Sequence, residues 1–454
     1  MSTRTHLLPP GPKGRLLTGN LFDYSSDQLD YLTLCARRYG DVVRLRFVNV
    51  HSYLLNHPEY IEYVLARNNR NFIKSRGERH SLSFLGEGLL TSEGSFWRRQ
   101  RRLAQPAFHH ERIASYSEVI VQSAERTFSF WQDGETRDVH KEMGRLTLTI
   151  VAKTLFGALL ADEEFEEVGE ALAVIGQRFT GRGGVLFQIP ERLPTPANLR
   201  FRQAVRRLDE IVYRIIREGR RVSKEEARLR SDLLSMLLRA RDEETGKGMS
   251  DKQLRDEVMT ILLAGHETTA NALSWTFYLL DGHPNMEAKL LEELDEVLGR
   301  RLPTVGDLPR LRYTDAVIKE AMRLYPPAWA FGREALKACE IAGYYVPAGT
   351  QLIMSQWVMH RDPRYYEAPD TFAPERWTEG LAARLPRYAY FPFGGGPRLC
   401  IGQSFAKMEA NLLLATIAQN FRLRLVSGQQ IRPQPTITLR PRGGMKVVLA
   451  RRQQ

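Results

Sequence analysis

The spacing of hydrophobic positions changes along the chain, and each spacing predicts a different element. Val42–Val48 and Tyr53–Leu55 are short β-rich runs set among turn residues, which predicts two strands of a small sheet. From about residue 110 to 300 apolar residues recur every three or four positions, predicting helices over Ala114–Trp131, Glu163–Arg178 and Arg200–Ser223. Between two of these lies Thr180–Pro190, a Gly-rich apolar connection that is either a plain loop or a mobile lid over a pocket. The longest predicted helix is Ser250–Gly282, with Ser250 as its N-cap and Gly282 followed by Pro284 as its stop. At the α-helical rise it spans roughly 45–50 Å. Its stretch Val258–Leu263 is almost wholly apolar, which predicts a path through the core and not along the surface. Beyond Arg323 short strand-like runs alternate with Pro and Gly turns, and one more helix is predicted over Gln403–Phe421. No linker composition and no internal repeat interrupt the pattern. It predicts one large, mainly α domain with small β-sheets over residues 1–454.

Composition narrows the class. Hydrophobic residues at 43% and charged residues at 26% of 454 exclude disordered and collagen-like chains. The 65 Lys+Arg against 53 Asp+Glu leave a net charge of +12, which admits nucleic acid, an anionic membrane surface or an acidic protein as partner. Three cysteines, Cys35, Cys339 and Cys400, are too few and odd for a disulfide framework and fit a reducing, cytoplasmic setting. No uninterrupted apolar run reaches the eighteen or so residues of a membrane span, so neither a signal peptide nor an anchor is expected.

The candidate chemistry centres on Cys400. It lies in Phe391-Pro-Phe-Gly-Gly-Gly-Pro-Arg-Leu-Cys-Ile-Gly402, a Gly/Pro-rich loop that runs into the last helix. A helix N-terminus and the nearby Arg398 both favour a thiolate, either as nucleophile or as metal ligand. A buried structural cysteine is the plainer reading of the residue taken alone. The spacing Phe393-x-x-Gly396-x-Arg398-x-Cys400-x-Gly402 resembles the haem-binding signature of the cytochrome P450 family. That resemblance implies haem b between the long helix and the Cys400 loop, with Cys400 as axial thiolate and Phe393, Gly394, Arg398 and Gly402 around the cofactor.

Further segments carry the same resemblance. Ala264-Gly265-His266-Glu267-Thr268-Thr269 places a carboxyl and two hydroxyls in an apolar helix, where polar groups are costly unless satisfied or used. They are either back-bonded threonines in a bent helix or, as in the family, a widened turn beside ligand. There Glu267 and Thr268 handle protons and Ala264 flanks the haem. Glu320-Ala-Met-Arg323 and Pro374-Glu375-Arg376 are similar to the family's buried structural triad. Trp97 and Arg101, at i and i+4, and Arg333 resemble contacts to the haem carboxylates, although an arginine-rich helix is also an ordinary solvated face.

The resemblance implies a monooxygenase that inserts one atom of O2 into an apolar small molecule, such as a fatty acid or terpenoid. Electrons would come from a separate ferredoxin or flavodoxin-type donor with its reductase, docking near Arg98, Arg99, Arg102 and Lys407. A monomer that binds neither nucleic acid nor membrane completes the expectation. Alternatives are a peroxide-driven peroxygenase or isomerase, disfavoured by the intact Glu267–Thr268 pair, a haem sensor, and a nucleic-acid binder supported only by charge. Family position places Phe84, Leu85, Val185–Phe187, Leu262, Leu263, Ala328, Trp329 and Thr436–Thr438 along the pocket. Cys35, Cys339, His266 and His360 read as structural.

Overall fold

The computed structural model describes residues 7–180, 192–223, 225, 232–241, 246 and 248–452. Thr180–Pro190, apart from the backbone of Thr180, lies outside the described residues, and with it the candidate lid and Val185–Phe187.

Helices dominate the middle of the chain and small sheets occupy the ends. In chain order β1 is Val42–Phe47, β2 Val50–Leu55, β3 Phe72–Lys74, β4 Phe331–Ala335 and β5 Gln351–Met354. They form one sheet in the order β1-β2-β5-β4-β3, in which only the β2–β5 pair is parallel. This sheet therefore joins the N-terminal strands to segments almost three hundred residues later, so the two ends of the chain share one unit.

The helices that build the core are α1 (Gly94–Ala104), α2 (Ser117–Phe128), α3 (Val139–Phe156), α4 (Asp162–Thr180), α5 (Pro196–Arg221), α6 (Asp251–Asp281), α7 (Arg312–Leu324) and α8 (Gln403–Asn420). The single helix expected over Ala114–Trp131 is two, because the chain breaks at Tyr116 between His110–Ser115 and α2. Helix α6 runs unbroken, opened by a capping box in which the Gln253 N–H reaches the Ser250 hydroxyl at 3.3 Å and Gln253 accepts from the Ser250 N–H at 2.8 Å. It is buried over most of its length and packs on α3, α7 and α8. At Gly265 it meets α3 closely: a Cβ there would lie 3.0 Å from Val151 Cγ2. Gly265 thus serves helix packing, and the widened turn allowed by the sequence is absent: the helix stays α-helical through Thr269. No described helix is long and apolar enough to cross a membrane.

Candidate active site

The Cys400 loop is held from both sides. The Cys400 N–H donates to the Phe393 carbonyl at 3.1 Å, closing the loop, and Gly402 caps α8 two residues later. The glycines have internal reasons. Gly396 (φ +65°) lies so close to the Leu65 carbonyl that a Cβ would fall 1.8 Å from its oxygen, and one on Gly395 would collide with Tyr388. These two glycines bring the loop against protein. Cys400 itself is accessible, although protein surrounds it closely. Burial pushes its thiol up, while the Gly402 N–H and the Arg101 guanidinium pull the other way. Coordination to a metal would decide that contest for the thiolate.

Beside the loop lies a buried cluster of cations. The register of β3 and β4 sets Lys74 opposite Arg333, an arrangement of like charges that is unfavourable without counter-charge. Glu78 supplies part of it, at 3.4 Å from Lys74 Nζ and 3.5 Å from Arg333, and Glu93 pairs with Arg398. Arg398 also donates to the Ser92 carbonyl at 2.8 Å and stacks on the Trp97 ring at 4.1 Å. Three cations face two carboxylates, and burial with Arg333 and Arg398 nearby lowers Lys74 to about 8. Such a cluster suits an added anionic carboxylate. Arg101 donates to the Gln105 side chain at 2.8 Å and the Leu399 carbonyl at 2.9 Å. The sequence points to Trp97, Arg398 and Arg333 but not to Lys74, which sheet register brings in, nor to Glu78 and Glu93, which join through side-chain contacts.

Helix α6 presents Ala264. It is exposed in a helix whose neighbours Ile261–Leu263 are buried, so open space reaches this face. The Thr268 hydroxyl donates to the Ala264 carbonyl at 2.7 Å, the back-bonded form. Glu267 turns to the C-terminal hairpin, where its Oε1 accepts from Thr438 at 2.8 Å and pairs with Arg440 at 2.9 Å. The chain of contacts continues from Thr438 to Asn271 at 3.1 Å and from Asn271 to His140 at 2.9 Å. Arg440, Asn271 and His140 carry no local sequence signal. Burial lowers His266 to about 4 and keeps it neutral, consistent with a structural role.

Below the loop the expected triad is complete. Glu320 accepts from Arg323 at 2.8 and 2.9 Å and from Arg376 at 2.9 Å, with Trp377 Nε1 as a further donor at 2.8 Å. Arg323 also reaches the His360 carbonyl at 2.8 Å, and His360 Nε2 accepts from the Phe391 N–H at 3.0 Å. His360 is thus a link between the triad and the Cys400 loop.

The remaining expectations divide. Phe84, Leu85 and Leu262 are core residues, Ala328 is half-buried, and Trp329 donates to the Thr436 carbonyl at 3.0 Å. Ile437 is exposed at the tip of its turn. Arg98 and Arg102 are exposed, Arg99 is half-buried, and Lys407 is drawn down over the Phe393 ring at 5.7 Å. The Cys35 and Cys339 thiols are both raised by burial.

The residues fit a flat, anionic, thiolate-bound group: a soft sulfur ligand, a cationic cluster for carboxylates and an accessible position on a core helix. Comparison with known proteins agrees. The cytochrome P450 family model matches residues 9–448. Cyclooctatin synthase of Streptomyces melanosporofaciens is 39% identical, over 96% of this chain and 93% of the relative. Cyclooctat-9-en-7-ol 5-monooxygenase of the same organism is 40% identical, over 86% and 84%. The solved structure described as retinoic acid bound cyanobacterial CYP120A1 superposes with a TM-score of 0.86 at 25% identity, covering 99% of this chain and 100% of that one. The chain belongs to the cytochrome P450 family, as a haem-dependent monooxygenase that inserts oxygen from O2 into an apolar substrate with electrons from a redox partner.

Proposed function

We propose that this monooxygenase hydroxylates or epoxidises a terpenoid, holding haem b through Cys400. The observation that carries the reading is the pair of accessible positions, Cys400 on the loop into α8 and Ala264 on α6, with α6 and α8 packed together. Thiolate-bound haem supplies the activation of dioxygen. Arg398, Lys74 and Arg333 would bind its carboxylates, with Trp97 holding the Arg398 guanidinium in place. Arg101 stands beside Cys400 and favours its thiolate.

Thr268 and Glu267 manage protons on the substrate side. The Thr268 hydroxyl keeps its proton on the Ala264 carbonyl, which leaves its oxygen as an acceptor toward the open face. Both protein contacts to Glu267 fall on Oε1, so Oε2 is the oxygen that exchanges a proton. Arg440 and Thr438 fix that carboxyl's orientation.

Terpenoid as substrate class rests on the two relatives named for cyclooctatin and for cyclooctat-9-en-7-ol. The chain acts as one domain, a cytoplasmic monomer, and takes electrons from a ferredoxin or flavodoxin-type protein. An acidic surface on that donor suits exposed Arg98 and Arg102. Titrating purified holoprotein with terpenes and fatty acids while following the haem spin state tests the substrate class. Terpenes should shift the spin state. A response to fatty acids alone would overturn the terpenoid reading.

A further inference from the structure

Two turns before Ala264, α6 carries a carboxyl that nothing in the proposed chemistry uses. Glu257 is 0% exposed, and only one of its oxygens is partnered: Oε2 accepts from the Leu89 N–H at 3.1 Å, while Oε1 has no protein partner. One turn on, Thr260 is 4% exposed and its hydroxyl is also unpartnered. This sets it apart from Thr268, Ser274 and Thr276 of the same helix, whose hydroxyls all donate to the carbonyl four residues back at 2.7 Å. Leaving a buried polar atom unpaired costs about 1–3 kcal/mol, so two on one face call for an occupant. Glu257, Thr260 and Ala264 fall at i, i+3 and i+7, on one stripe of the helix. The carboxyl is thus about 10 Å along the helix from Ala264.

A strap over this stripe closes its far end. The Glu87 N–H donates to Asp256 at 2.9 Å and Arg255 donates to the Phe84 carbonyl at 2.8 Å, so residues 84–89 are pinned to α6. The strap approaches through glycine: a Cβ on Gly88 would lie 2.2 Å from the Thr260 hydroxyl. Burial, with Asp256 adjacent, raises the Glu257 carboxyl to about 8, so at neutral pH Glu257 mostly carries a proton that it can donate. Between this polar end and Ala264, the residues around the stripe are apolar: Ile261, Leu262 and Leu263.

We propose that Glu257 and Thr260 form a polar subsite for a hydroxyl already present on the terpenoid, so that the enzyme's substrate is an oxygenated intermediate and not the parent hydrocarbon. Glu257 and Thr260 between them offer a donor and an acceptor, which an alcohol satisfies and a hydrocarbon does not. The substrate must then come from an earlier step that installs an alcohol, either a cyclase that quenches its cation with water or another hydroxylase. This rests on the terpenoid reading above.

The test compares farnesol with farnesene on the holoprotein, by spin-state titration and by isothermal calorimetry. Wild-type protein should bind the alcohol about tenfold more tightly, a difference worth roughly 1.4 kcal/mol. Thr260→Val, nearly isosteric, and Glu257→Leu should each reduce that preference to less than about threefold without weakening farnesene. Glu257→Gln should retain most of it, since an amide keeps both the Leu89 contact and a donor. Equal losses for both ligands would mean that the pair holds only a trapped water, and would overturn the subsite. Equal wild-type affinities would overturn the subsite and leave the terpenoid reading intact. If neither ligand shifts the spin state but a fatty acid does, the terpenoid reading falls and the subsite falls with it.

Discussion

Glu320 and Glu257 are both fully buried glutamates on core helices, and the fold treats them in opposite ways. Around Glu320, two guanidinium groups, an indole and the Ala373 N–H occupy both oxygens. Around Glu257 one backbone N–H occupies a single oxygen. A saturated carboxylate is a structural joint, and here it ties α7 to the segment that supports the Cys400 loop. A half-satisfied carboxyl is a poor joint and a good receptor. The same residue type therefore marks the scaffold in one region and a ligand-facing surface in the other.

Substituting glutamine at both positions tests that contrast most sharply. Glu320→Gln leaves two guanidinium groups without their charge partner and should cost about 3–5 kcal/mol, enough to abolish accumulation of folded holoprotein. Glu257→Gln should change unfolding free energy by less than about 1 kcal/mol at pH 6. Urea denaturation followed by circular dichroism reads both, and comparable losses at the two positions would break the distinction. Trp377→Phe removes one donor from Glu320 and should cost an intermediate amount, about 1.5–3 kcal/mol.

The pH dependence sharpens it further. Folding raises Glu257 from 4.5 to about 8, so the folded state holds a proton that the unfolded state releases. Stability from this group is complete below pH 4.5 and is lost as pH climbs toward 8. The slope between these limits should flatten in Glu257→Gln; Glu409, raised likewise to about 8, carries a parallel share. His266 acts at the other limb. Its folded value near 4 lies below 6.5, so stability is lost as pH falls from 6.5 to 4. A smaller effect is expected at the surface. Reversing Arg98 and Arg102 to Glu should slow reduction by an acidic donor severalfold, less so at high salt, with the haem spectrum unchanged.

Much of this was legible in the sequence, for identifiable reasons. Helix α6 announces itself through its cap, its length and its apolar run, all of which are local. The Cys400 loop, the Glu267–Thr268 pair and the Glu320–Arg323 pair are likewise contiguous and share a family spacing. What stayed hidden depends on pairing between distant segments. Lys74 becomes part of the cation cluster only because β3 sits in register with β4, more than 250 residues away. Arg440 and Glu267 meet across 173 positions, and no periodicity reports such a contact. Two glycines of the Cys400 loop, Gly396 and Gly395, are packed against Leu65 and Tyr388, neighbours that no local pattern names. Lys407 reads as a free surface charge until Phe393 is seen beneath it.

The proposed chemistry requires Cys400 as the sulfur that holds haem iron. The direct measurement is the spectrum of the reduced holoprotein with carbon monoxide, for the wild type and for Cys400→His. The wild type should show the strongly red-shifted Soret band of a thiolate-bound carbonyl complex, and the variant, if it retains haem, should show the band of an imidazole complex. A wild-type spectrum without the red shift, or one that survives replacement of Cys400, would contradict the assignment.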